Sequence, residues 1–96
     1  MQTIYKYPLS VNDKQDVHLP VNAVILTVQS QKGIPCLWAL VNPKQEYKEV
    51  RTFHTFGTGH PFEIPLDADY NPLSLVYIGT YQISNGDLIF HLFEEK

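Results

Sequence analysis

Apolar residues in this chain recur at every second position or in short unbroken runs, and almost nowhere at helical spacing. Pro, Gly, Asn and Asp cut the runs short. A chain punctuated in this way cannot build a helical bundle. Its backbone groups have to be satisfied between strands.

Residues 3–9 are extended, and Pro8 places their end on an edge or in a turn. Residues 15–19 set Val17 and Leu19 against Asp16 and His18. Residues 23–31 are apolar on both faces, as in a covered sheet. Gln31-Lys32-Gly33 is a short hairpin connection into a strand over 34–41, which carries Cys36 and Trp38. Asn42-Pro43-Lys44-Gln45 turns the chain into a longer strand over 47–56. Residues 75–83 and 88–93 flank Ser84-Asn85-Gly86-Asp87, the best hairpin signal present, because Asn-Gly accepts positive φ at low cost. These segments make seven strands in one domain over residues 1–96. The expected fold is an all-β antiparallel sandwich or small barrel. The last strand is apolar on both faces, so it is central or covered by another subunit; a homo-oligomer, a dimer first of all, is expected.

One stretch has no period. Residues 57–74 carry three prolines and two glycines, which exclude a long helix or a central strand. Loops of this length in a compact domain are often functional. This one holds His60, the carboxylates Glu63, Asp67 and Asp69, and no Lys or Arg. Gly57-Thr58-Gly59-His60-Pro61 reads first as a tight turn after a strand, and second as a ligand contact with Thr58 and His60 as donors. It lacks the Lys-Ser/Thr ending of a phosphate-binding loop, and no helix follows it. Asp67, Asp69 and Asn71 read as turn formers; with Glu63 the acidic group offers a docking surface for a basic partner. Tyr70 is the aromatic most free to stack.

Composition removes several functions. The net charge is −3, and the seven basic residues are scattered, so general nucleic-acid binding is not expected. Arg51 is the single arginine and the one candidate for a bidentate phosphate contact. Cys36 is the lone cysteine, inside an apolar run, where a buried inert thiol is expected. His18, His54, His60 and His91 show no close pair of the kind zinc sites use, so neither metal nor cofactor is expected. His54 and His91 read as hydrogen-bonded strand residues. Met1 to Lys6 lacks the apolar core of a signal peptide and no run approaches a membrane span, so no membrane contact and a cytoplasmic location, host cytoplasm included, are expected. No serine sits in a nucleophile elbow, and an enzyme is not expected.

Several segments together resemble a known family. They are Thr3-Ile4-Tyr5-Lys6-Tyr7-Pro8-Leu9, Leu26-Thr27-Val28-Gln29 with Pro35-Cys36-Leu37-Trp38-Ala39-Leu40-Val41, Gly57-Thr58-Gly59-His60-Pro61, which is the most recognisable element, and Tyr77-Ile78-Gly79-Thr80-Tyr81 with Phe90-His91-Leu92-Phe93-Glu94. The chain is similar to small proteins carried by phages and prophages and described as a domain of unknown function. The resemblance spans nearly the whole chain. It implies a phage setting and brings no catalytic or binding residues with it. The expected function is that of a non-enzymatic phage binding protein that inhibits host antiviral defence. It would bind a host defence protein through Glu63, Asp67 and Asp69, or sequester a small nucleotide-like signal among Gly57, Thr58, Gly59, His60, Tyr70, Trp38 and Arg51. The alternatives are a small structural or assembly protein of a phage, and a phosphoester hydrolase using His60 and Glu63.

Overall fold

The computed structural model describes residues 1–96. Seven strands follow in chain order: β1 (Thr3–Pro8), β2 (Lys14–Pro20), β3 (Val24–Gln31), β4 (Ile34–Val41), β5 (Lys48–Gly57), β6 (Leu75–Ile83) and β7 (Leu88–Glu95). Every pairing is antiparallel. The strands form two sheets, ordered β1-β4-β3 and β2-β5-β7-β6. The expected seven-stranded sandwich is present. The barrel alternative is not, because the sheets remain separate and pack face to face.

Strand alternation sets the core. Leu37, Ala39 and Val41 of β4 and Val28 of β3 point inward from the three-stranded sheet. Leu19, Phe53, Tyr81 and Leu92 meet them, one from each strand of the other sheet. Phe53, Leu37, Leu19 and Leu92 are fully buried; each such side chain contributes about 1.5–3 kcal/mol of transfer free energy. β7 lies between β5 and β6. This is the central place that the sequence offered as one of two explanations for its apolar faces, and on the outer face Phe93 packs against Phe56 and Tyr77.

The sheets draw together at one corner, where β3 meets β6 without a ladder. The Ser30 hydroxyl donates to the Gln82 carbonyl across the gap. A Cβ on Gly79 would lie 3.0 Å from Val28 Cγ1, so the close approach needs glycine there. Both predicted hairpins form. Lys32 and Gly33 take φ of 52° and 80°, the pattern of a two-residue turn that matches strand twist. The β6–β7 connection runs through four residues, Ser84 to Asp87, with Ser84, Asn85 and Gly86 at φ of 54°, 57° and 88°. No helix is long and apolar enough to cross a membrane.

Candidate functional site

The segment from 58 to 74 folds back over the outer face of the four-stranded sheet. Its first residues form a turn, with Gly59 at φ 78° and the His60 N–H donating to the Gly57 carbonyl at 3.2 Å. Positive φ at this third turn position is a demand that glycine meets without cost. The His60 ring lies back over Gly57, where a Cβ would sit 2.8 Å from Nδ1.

Two feet fix the loop, one to β7 and one to the residue that follows it. The Thr58 N–H donates to the Ile89 carbonyl at 3.1 Å, and the Lys96 N–H donates to the Ser74 carbonyl at 2.8 Å. Thr58 Oγ1 also lies 2.6 Å from His91 Nε2, while His91 Nδ1 lies 2.9 Å from Thr80 Oγ1. Thr80 in turn meets the Tyr77 hydroxyl at 2.6 Å. The four side chains thus form one connected hydrogen-bond chain across the sheet surface, with the donor at each ring nitrogen set by the tautomer. Aromatic packing adds to the attachment. Phe62 of the loop stacks on Phe56 at 3.9 Å between ring centroids, and Phe93 lies against both Phe56 and Tyr77. Such ring pairs add roughly 0.5–1.5 kcal/mol each beyond burial.

Beyond Pro65 the loop makes a small hairpin of its own. Leu66 bridges Pro72, and the Leu73 N–H donates to the Pro65 carbonyl at 2.8 Å. Asp67 builds the tip: its Oδ1 accepts from the N–H groups of Asp69 at 2.8 Å and Asn71 at 3.0 Å. This is the turn-forming role expected of an aspartate here. Tyr70 stands at the tip, 83% exposed, with φ at 63°. A left-handed backbone costs a bulky residue about 1–2 kcal/mol. Phe62, Ile64 and Leu66 are also exposed, so the finger is apolar and acidic at once.

Beneath the finger lies a cavity of about 510 Å³, walled by His54, Phe56, His60, Phe62 and Glu63, with Asp13 and Lys14 across from the loop. His54 is buried, and its Nε2 meets Glu95 Oε2 at 2.8 Å. His54 and His91 are thus the hydrogen-bonded strand residues the sequence suggests. The cavity wall carries two carboxylates against one lysine, a poor setting for an anion.

The ligand residues proposed from sequence are not gathered by one chain into one place. Gly57, Thr58, Gly59 and His60 are together. The Thr58 N–H is already used on the Ile89 carbonyl of β7 and the His60 N–H on the Gly57 carbonyl within the turn, so a backbone anion cradle is not free there. Trp38 lies on the outer face of the other sheet, opposite Thr27 and Lys6. Arg51 points toward the sandwich interior. Its Nε and Nη2 donate to the two Glu94 carboxylate oxygens at 2.5 and 2.8 Å, and Nη1 donates to the Ala23 carbonyl at 2.5 Å. Burial pushes the Glu94 carboxyl up, but Arg51 and Lys96 outweigh it and hold the group below the usual carboxylate range. The Arg51 guanidinium is driven further toward its charged form, first by that hydrogen bond. The Arg51–Glu94 fork was not visible in the sequence, since 43 positions separate its members. The Tyr77–Thr80–His91–Thr58 chain was also missed; only the surface-facing alternation of the β6 and β7 residues hinted at it. Groups of three or more metal-ligating side chains are absent.

The fold and the site define a small two-sheet β domain that presents one structured loop. The chain belongs, over residues 1–96, to the family described as a domain of unknown function (DUF7352). That match indicates neither a phage origin nor a Gly-Thr-Gly-His-Pro signature. No curated protein and no solved structure matches the chain.

Proposed function

We propose that this domain is a non-enzymatic binding protein whose 57–74 loop docks on a partner protein. The observation that carries the reading is Tyr70, an exposed aromatic held at positive φ by a turn that Asp67 builds. Such strain persists where the surroundings enforce it, and it concentrates at functional positions. Aromatic anchors of this kind dominate binding energy when they enter a partner's pocket. Asp67 and Asp69 share the anchor's turn, Glu63 lies nearer the base of the loop beside the cavity, and the three carboxylates favour a partner with a basic rim. No hydrogen bond joins His60 to Glu63, so the hydrolase alternative lacks a positioned pair. Sequestration of an anionic nucleotide is the weaker mechanism, because the cavity wall is acidic and Arg51 is bound to Glu94. If the resemblance to phage proteins holds, the partner is a host defence protein.

Native mass spectrometry of protein purified from cells with active defence systems tests this. A retained protein partner, lost in Tyr70→Ala, is the expected result. A retained mass of a few hundred daltons, lost in His60→Ala and kept in Tyr70→Ala, would replace this reading with sequestration.

A further inference from the structure

The two sheets are covered unequally. The chain's own loop covers part of the outer face of the four-stranded sheet, over His54 and Phe56. The three-stranded sheet has nothing over its outer face. Strand register places Ile4 of β1, Leu40, Trp38 and Ile34 of β4, and Val24 of β3 on that face. Ile4 is 55% exposed, and Val24 and Ile34 are each 52% exposed.

The area of the molecule points the same way. A monomeric protein of 96 residues exposes about 5,600 Å². This chain exposes 6515 Å². The excess, about 900 Å², is shared between the bare sheet face and the exposed finger, and is of the size of the ~800 Å² that each partner contributes to a standard interface. The shape explains the excess: the Cα extents are 42 × 40 × 16 Å, a slab rather than a sphere.

We propose that the outer face of the three-stranded sheet is a homodimer interface, with a second copy of this chain as its occupant. A two-fold axis sets each surface against itself, so a self-pairing face must not repel its own copy. The β1-β4-β3 face has one ionic group within its strands, Lys6, whose ammonium is held by Gln31 and lies 6.0 Å from the Trp38 ring centroid. The opposite side of the molecule fails the same requirement, since the finger sets Glu63, Asp67 and Asp69 together with no Lys or Arg in the loop. Covering the apolar face also forfeits no water contact at the Trp38 indole N–H, which is already out of reach of solvent and unpaired. Pairing through this face leaves both fingers pointing away from the dimer. It is independent of the loop's proposed role.

Sedimentation velocity over a concentration series, with the full chain, tests the proposal. Wild type should sediment as a dimer in the micromolar range. Ile4→Lys and Val24→Lys each place unpaired ammonium groups in the interface, and should weaken the dimer by roughly a hundredfold or more. Both positions are more than half exposed in the single chain, so circular dichroism should show an unchanged fold. Tyr70→Ala should leave the dimer intact. Trp38, the only tryptophan, gives a reading without any substitution: its emission should move to longer wavelength as the wild type is diluted into monomer. A wild type that is monomeric throughout overturns the proposal. So does a dimer that both lysine variants retain at wild-type affinity, one that Tyr70→Ala disrupts, or an emission maximum that dilution does not move.

Discussion

At the scale of single residues, two side chains act in opposite senses. Glu94 is 4% exposed and forked to Arg51. Removing one member of a buried pair leaves the other charged and unpaired, at a cost of about 3–5 kcal/mol. Glu94→Ala should therefore lose about that much in urea-unfolding free energy. The pH dependence has a definite sign. Glu94 titrates below its ordinary value when folded. Its contribution is full above the unfolded carboxylate pKa and is lost as pH falls through the lower folded value. Wild type should lose stability across that acid window, and Glu94→Gln should flatten the slope. Tyr70 is the reverse case. Tyr70→Gly removes the left-handed penalty and should raise stability by up to ~1 kcal/mol. If the loop docks as proposed, the same variant loses its partner. A Tyr70→Gly protein that is less stable than wild type would show that the tip is not strained.

At the scale of elements, the corner between β3 and β6 and the feet of the loop are the points that admit least change. Gly79→Ala sets a methyl 3.0 Å from Cγ1 of the buried Val28, which must shift by a few tenths of an ångström to admit it. The expected loss is about 1–3 kcal/mol by thermal or chemical unfolding. Thr58→Val breaks the Thr58–His91 contact while keeping the shape. It should cost about 1 kcal/mol, and hydrogen exchange should quicken in the 58–66 backbone ahead of the strands. The elements themselves were legible in the sequence. Pro, Gly and Asn mark nearly every boundary, and the Lys32-Gly33 and Asn85-Gly86 turns carry residues suited to positive φ. The inner hairpin of the loop was not legible. Asp67 announced a turn, but nothing in a tyrosine announces left-handed backbone, and the Leu66–Pro72 bridge joins residues that no alternation sets apart. The ion pair escaped for another reason. Arg51 and Glu94 sit on β5 and β7, which pair directly although the loop and β6 separate them in sequence, and that pairing is decided by the whole fold.

At the scale of the molecule, the sandwich and the finger are separable. Pro65 and Leu73 already face each other through a hydrogen bond. Replacing residues 66–72 with a two-residue Asn-Gly turn should leave the circular dichroism and unfolding midpoint of the sandwich close to wild type, while the proposed partner is lost. Collapse of the fold in that variant would show that the finger holds the sheet together. The apolar surface of the chain divides in the same way. Core positions were readable from alternation, because burial follows strand period. The outer faces were not, since period alone does not say whether a loop, a second copy or water covers an apolar side.

The seven residues between Pro65 and Leu73 touch the rest of the molecule chiefly through the two ends that hold them. If the tip docks as proposed, heritable change falling there is filtered by the partner and hardly at all by whether the chain folds, so the fold can stay constant over long descent while its tip is rewritten.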